Sequence, residues 1–324
     1  MTSIDDTSVN ARPGPGPGTI RIGTRGSQLA RWQSEWVSAR LRELHPGLLV
    51  ELVEIKTQGD RDRNSPLAAI GGIGLFTKEI QRALLDSTVE IAVHSLKDLP
   101  TQGTDALMLG AVPVREDAAD ALIAPVHRTL EALPAGASIG TGSLRRRAQL
   151  LHARPGLQIV GIRGNVETRL NQALSGSLDG VVLAEAGLRR LGLERHVTQR
   201  LGPPLFLPAV GQGALGIECR ASDATTRALL APLDDPGTRR AVIAERRTLA
   251  ELEGGCMIPL AAWGRDTDDG QMALDVAVFD PDGLERVFVS ATGPRDDPDG
   301  LGRQVAEELR AQGADRLLQR VQRP

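Results

Sequence analysis

Cys256 lies in the small-residue run Gly254-Gly255-Cys256, directly after a helix-patterned stretch. A cysteine released from a helix end by two glycines can stand exposed, and its thiolate is then a nucleophile or an attachment point. Cys219, in the run Gly216-Ile217-Glu218-Cys219, reads instead as a small buried hydrophobe. No histidine follows His196, so a Cys–His catalytic pair at Cys256 fits poorly. Neither cysteine has companions at ligand spacing, and no metal site is expected.

Three turns combine glycine, a hydroxyl or amide side chain, and arginine: Gly23-Thr24-Arg25-Gly26-Ser27, Gly140-Thr141-Gly142-Ser143 with Arg145 and Arg146 behind it, and Ile162-Arg163-Gly164-Asn165 with Arg169 four residues on. Each falls between a strand-like and a helix-like stretch. Backbone N–H groups at a helix start favour anions, and the planar guanidinium suits carboxylate or phosphate. The plainer alternative is ordinary turns with solvated arginines. None of the three is a Walker or dinucleotide motif. Lys97-Asp98 follows an apolar strand pattern, where open α/β sheets collect their chemistry. A carboxylate there could stabilise a developing cation or accept a proton; a turn aspartate before Leu99-Pro100 is the alternative. His94 reads as structural.

The elements that must hold these groups alternate. Strands are expected at 19–23, 48–56, 89–93, 137–141, 157–162 and 180–183, with helices at 28–44, 75–85, 143–151, 166–174 and 185–191. Such alternation predicts parallel sheets covered by helices. Trp32 and Trp36, at i,i+4 spacing, are expected in the core. The polar-then-small run at 60–74 reads as a glycine-hinged lid. Residues 209–220 cross back towards the first unit. Beyond Asp234 the pattern changes to a long helix at 238–252, strands at 258–263, 272–279 and 285–291, and helices at 301–310 and 314–321, which is α+β grammar.

The 324 residues suit two or three domains. A net charge of −3 and an aromatic content of 2%, with no tyrosine, argue against a nucleic-acid binder. Nearly all basic residues are arginine, which genome composition alone could also produce. Two cysteines make no disulfide scaffold. No apolar run reaches membrane-spanning length, and the opening MTSIDDTSVN lacks a signal peptide's apolar stretch, so a cytoplasmic location is expected. Residues 1–18, with PGPGPG, read as a disordered tail.

Taken together, the chain resembles the porphobilinogen deaminase (hydroxymethylbilane synthase) family. The resemblance rests on IGTRGSQLA at 22–30, GLFTKE at 74–79, AVHSLKDLP at 92–100, IGTGSLRRRAQL at 139–150, IRGNVETRL at 162–170, AGLRRLGL at 186–193, LPAVGQGALGIECR at 207–220 and EGGCMIPLAA at 253–262. It implies three domains. Two α/β domains, 19–115 with 212–232 and then 116–211, would resemble the lobes of a type II periplasmic binding protein. A small α+β domain, 233–324, would bear the cofactor.

It also implies a dipyrromethane cofactor held by a thioether to Cys256. Four porphobilinogens would be added head to tail with loss of four ammonia, and water would release hydroxymethylbilane. Asp98 matches the family's catalytic aspartate, which would hydrogen-bond pyrrole N–H groups and stabilise the cationic azafulvene. Arg25, Arg145, Arg146, Arg163, Arg169 and Arg190 match arginines that hold acetate and propionate groups or assist the step. Lys97 would serve with Asp98 as a catalytic residue and, with Thr141 and Ser143, would help hold the cofactor. Ser27 and Phe76 would meet substrate, Phe76 by stacking on pyrrole rings. The family is usually monomeric. The chain departs from the family at Ala69 and Ile73, where lysines are common, and at Met257, where glutamine is frequent. The rival reading is a two-lobed cytosolic binding protein for an acidic small molecule, which leaves Cys256 and a third domain without a use.

Overall fold

The computed structural model describes residues 18–57, 77–252 and 258–321. The first lobe begins with β1 (Thr19–Thr24), α1 (Gln28–Leu44), β2 (Leu49–Glu54), α2 (Lys78–Leu85), β3 (Ile91–Ser95) and β4 (Leu107–Ala111). In the second lobe lie β5 (Asp120–Ile123), β6 (Ser138–Gly140), α3 (Leu144–Ala153), β7 (Gln158–Val160), α4 (Val166–Leu174), β8 (Gly180–Ala184), α5 (Glu185–Arg190) and β9 (Gln199–Leu201). The chain returns to the first lobe through β10 (Leu215–Arg220) and α6 (Ala224–Leu230). It ends with α7 (Pro236–Glu251), the strands β11 (Leu260–Asp266), β12 (Gln271–Phe279) and β13 (Arg286–Pro294), and the helices α8 (Pro298–Ala311) and α9 (Ala314–Val321).

The two lobes share one plan. Their strand orders are β2-β1-β3-β10-β4 and β7-β6-β8-β5-β9. In each, the first three strands are parallel, and the fourth runs antiparallel to both neighbours. This corrects the expectation of purely parallel sheets. The antiparallel strands β5 and β10 are those that follow the two crossings between lobes, so each must enter its sheet against the local direction. Two α/β lobes, with a separate antiparallel sheet β11-β12-β13, make up the expected α/β fold class. Among the described strands and α-helices, β4, β5, β9 and α6 went unanticipated.

The helices bury the stripes their periodicity dictates. Helix α1 turns Gln33, Ser34, Val37, Ser38 and Leu41 inward, the i, i+3, i+4 pattern of a surface helix. Every residue of β3 except Ser95 is buried, as expected of a strand covered on both faces. The strand runs two residues further than predicted, so His94 and Ser95 lie within it. Buried His94 sits 2.9 Å from a carboxylate oxygen of Glu218 on the adjacent β10. Trp36 packs against the first-lobe core as expected; Trp32 does not, and faces the second lobe.

The C-terminal domain has a core built from α7, β11, β12, β13, α8 and α9, which also takes in Val210 from the second crossing. It touches the lobes through two smaller apolar clusters. One joins Leu96, Leu99, Val112 and Ala214 to Val242 of α7; the other joins Ala148 and Leu207 to Ala261, Ala277 and Phe279. At the second crossing Gly213 adopts φ +85°, and a side chain there would lie 2.4 Å from the Glu116 carbonyl. Only glycine tolerates both demands.

Candidate active site

The three arginine-bearing turns are all helix starts. Ser27 Oγ accepts from the Ala30 N–H at 3.3 Å and caps α1. Ser143 Oγ accepts from the Arg146 N–H at 3.4 Å and caps α3, while Thr141 Oγ1 accepts from the Ser143 N–H at 3.2 Å. Asn165 Oδ1 accepts from the Thr168 N–H at 2.8 Å and caps α4. Such caps satisfy one orphan amide each and leave the rest of the first turn available. Ser27 and Ser143 therefore already serve the backbone, and Thr141 is buried.

Asp98 ends a short 3₁₀ turn, Leu96–Asp98, just past the carboxyl end of β3. Leu96 and Leu99 are buried, whereas Asp98 is exposed. Asp98 lines one cavity with Arg25, Ser27, Gln33, His94 and Ser95. From the opposite lobe come Arg146, Arg163 and Arg169. Burial pulls the Arg169 pKa down, Arg146 and Arg163 pull it further, and Asp98 opposes them. Arg169 Nε is buried with no hydrogen-bond partner among the described residues. Lys97 lies in the same field. Burial is the main cause that lowers its pKa to about 8; Arg146 and Arg145 add to the shift, and Asp98 and Asp120 oppose it. Its Nζ reaches Gln212 Oε1 at 3.4 Å. Asp98, Lys97, Arg25, Ser27, Arg146, Arg163 and Arg169 thus come together, with cations in excess.

Arg145 and Arg146 are committed to a partner that the sequence reading missed. Arg145 Nη1 donates to Asp120 Oδ2 and to the Leu207 carbonyl, both at 2.7 Å. Arg146 donates to Asp120 Oδ1 from Nε at 2.9 Å and from Nη2 at 2.7 Å. Gln212 Nε2 donates to the same oxygen at 2.8 Å and to the Ala118 carbonyl at 2.8 Å. All three charged side chains are buried. Burial would raise the Asp120 pKa, but the two guanidiniums outweigh it and hold the carboxyl well below the usual range. The legible signal was an acid in an otherwise apolar strand, Asp120-Ala121-Leu122-Ile123.

Arg190 has different neighbours. Its Nη2 donates to the Gly213 carbonyl at 2.7 Å, and its guanidinium stands 5.9 Å from the centre of the Trp32 ring. Burial lowers its pKa to about 10, partly offset by Glu116. It ties α5 to the second crossing and to α1 of the first lobe. Cys256 and Phe76 lie outside the described residues, as do Ala69, Ile73, Met257 and the lid at 60–74. Cys219 is fully buried in β10, and burial pushes its thiol up to about 11. Among the described residues no group of acids, histidines and cysteines forms a metal site, and no helix is long and apolar enough to cross a membrane.

Comparison with known proteins adds independent findings. The family model "Porphobilinogen deaminase, dipyromethane cofactor binding domain" matches residues 20–228, and "Porphobilinogen deaminase, C-terminal domain" matches 239–311. A porphobilinogen deaminase of Syntrophotalea carbinolica is 49% identical over 299 residues, covering 92% of this chain and 95% of its own. One from Maridesulfovibrio salexigens is 48% identical, covering 93% of this chain and 98% of its own. Among solved structures, the methionine binding protein MetQ aligns with a TM-score of 0.44 at 13% identity, over 73% of this chain and 95% of its own.

Proposed function

The chain belongs to the porphobilinogen deaminase family, and on that premise we propose how its own residues perform hydroxymethylbilane synthesis. The enzyme is a transferase that condenses four porphobilinogens head to tail, releases four ammonia, and frees hydroxymethylbilane by hydrolysis. Its cofactor is dipyrromethane. The rival reading, a binding protein without catalysis, is not favoured by this membership.

The residues present fit such a group. A dipyrromethane bears four carboxylates, and Arg25, Lys97, Arg146, Arg163 and Arg169 surround Asp98, the one acid lining its cavity among the described residues. The buried Arg169 Nε, without a partner among the described residues, asks for an acceptor. When bound, the cofactor supplies the nucleophilic pyrrole carbon, and we assign its thioether to Cys256. Arg169 and Lys97 hold its acidic arms, the Thr141 and Ser143 hydroxyls donate to them through their O–H hydrogens, and Arg146, engaged by Asp120, adds its charge from behind. Arg25, Arg163 and Arg169 receive those of the incoming porphobilinogen, with Ser27 and Phe76 beside them. Arg145 acts through Asp120, and Arg190 through the crossing at Gly213. Asp98 accepts hydrogen bonds from pyrrole N–H groups and places negative charge where positive charge develops as ammonia leaves. It then takes the proton whose loss restores aromaticity.

The observation that carries this assignment is an exposed carboxylate, Asp98, met by cations from both lobes. We further propose that residues 19–115 with 212–232, 116–211 and 233–324 are the three domains, and that the enzyme is a cytoplasmic monomer. Intact mass of the denatured protein, purified from a porphobilinogen-producing host, tests the reading. An excess equal to dipyrromethane, absent in Cys256→Ser, is expected, and porphobilinogen should then add a ladder of heavier species. In Asp98→Asn the fold should persist and the ladder should stall. An unmodified mass in the wild-type protein, or near-normal turnover in Asp98→Asn, refutes the corresponding assignment.

A further inference from the structure

Helix α7 meets the turn that carries Asp98. Arg246, on that helix, donates from Nη1 to the Leu99 carbonyl at 2.9 Å and from Nη2 to the Pro100 carbonyl at 2.6 Å. These are the two residues directly after Asp98. On the same side, Val242 packs with Leu96 and Leu99, which flank Lys97 and Asp98. The turn itself closes with one backbone bond, from the Leu99 N–H to the Leu96 carbonyl at 3.1 Å. Pro100 contributes no N–H.

The helix is itself fixed from the other side. Glu245, adjacent to Arg246, is fully buried. It accepts from Arg115 Nη1 at 2.6 Å, from the Gly211 N–H at 2.7 Å and from the Gly264 N–H at 2.8 Å. Those donors come from the two crossings between lobes and from β11. Helix α7 is therefore a rigid reference shared by both lobes and the C-terminal domain.

We propose that Arg246 is a positioning residue for Asp98. Packing of Leu96 and Leu99 sets how deep the turn sits. The guanidinium fork sets the direction of the two following carbonyls, and so the rotation of the turn that aims the Asp98 carboxylate into the cleft. The proposal rests on Asp98 being the catalytic carboxylate. Charge-assisted, two-pronged bonds to successive carbonyls fix direction as a single neutral bond does not. Arg246 also borders a surface groove with Thr101, Leu109 and Val112. A shorter polar side chain there exposes the carbonyls to water and leaves the apolar packing intact.

The test uses cofactor-loaded Arg246→Gln and Arg246→Lys, compared with Asp98→Asn and with the double variant Asp98→Glu/Arg246→Gln. A misplacement of about 1 Å costs on the order of 100-fold. Arg246→Gln should therefore lower kcat by roughly 10- to 100-fold while KM stays within about threefold. Arg246→Lys, which keeps a charged donor for one carbonyl, should recover part of the loss. Arg246→Gln should cost less in the Asp98→Glu background than in the wild type, because one displacement masks the other. A kcat within twofold of wild type in both single variants overturns the proposal, as does a loss confined to KM or fully additive with Asp98→Glu. If Arg246→Gln does not fold, Arg246→Lys alone decides: normal kcat overturns, reduced kcat at unchanged KM and Tm supports. Normal turnover in Asp98→Asn would remove the underlying assignment. A stalled Asp98→Asn beside normal Arg246 variants would remove the positioning role only.

Discussion

Replacing Asp120 by asparagine should destabilise the protein more than any other isosteric change in the cleft. Asp120 is inaccessible, and it is shared by Arg145 and Arg146, themselves almost fully buried. Asparagine keeps the shape and one acceptor oxygen, but it removes the charge and turns an N–H₂ towards a guanidinium. Arg145 would retain the Leu207 carbonyl, and Arg146 the Val182 carbonyl and Gln212. Neither would retain a counter-charge, and the two would repel each other and Lys97. Removing one member of a buried ionic group costs about 3–5 kcal/mol. At roughly 2–4 °C per kcal/mol for a unit of this size, the Tm of the transition should fall by about 6–20 °C.

Calorimetry of the loaded protein near neutral pH measures this directly. The difference should also depend on pH in a definite sense. The folded-state pKa of Asp120 is depressed, so the folded protein binds fewer protons than the unfolded chain in the acid range. Its contribution is complete above the ordinary carboxylate pKa of about 4 and is lost as pH falls below it. The gap between wild type and Asp120→Asn should therefore narrow in acid. A Tm within about 2 °C of wild type at neutral pH would refute the reasoning, because it would show the two guanidiniums content without a counter-ion.

Three other outcomes follow from the same charges. Burial lowers the Lys97 pKa to about 8, so reconstitution of the apoprotein should slow as pH rises through that value. Lys97→Gln should abolish the step, and a pH-independent wild-type rate would exclude the role. Arg169 is desolvated beside like charges with its Nε unsatisfied. Arg169→Met should raise the apoprotein's stability by about 1 kcal/mol while weakening substrate binding, and a lower apoprotein Tm would count against this. Asp98→Glu keeps the charge but displaces it by one methylene, and should lower kcat by about 10- to 100-fold; unchanged kcat would show that placement is immaterial.

What was legible in the sequence was what the chain decides locally. Helices α1 and α4 match their predicted spans because a capping Ser27 or Asn165 marks the start and a 3.6-residue stripe carries the rest. Strands β5 and β9, at four and three residues, are too short for any period to emerge, and their existence is decided by pairing across the second sheet. The reversed direction of β5 and β10 is likewise invisible locally. It follows from a chain that passes between lobes twice, and only the sheets' strand order displays that.

The site divides along the same line. Each arginine turn announces itself through glycine, a cap and a cation, so the three capped helix starts could be anticipated one at a time. Which cations are already neutralised could not. Arg145 and Arg146 sit side by side in the sequence with Arg147, and nothing local distinguishes them. In the fold the first two meet Asp120 from a different strand, while Arg147 reaches Asp282 of the C-terminal domain at 3.0 Å. One face of α3 thus builds the cleft wall and another docks the third domain. Gln212 shows the same dependence on distance in sequence: it is bonded to Asp120 and to Lys97 from the opposite crossing. A carboxylate in an apolar strand is costly unless partners come to it. The acid in Asp120-Ala121-Leu122-Ile123 was therefore itself a signal that two or more donors converge there, and it is the one feature of the site that burial physics alone could have exposed.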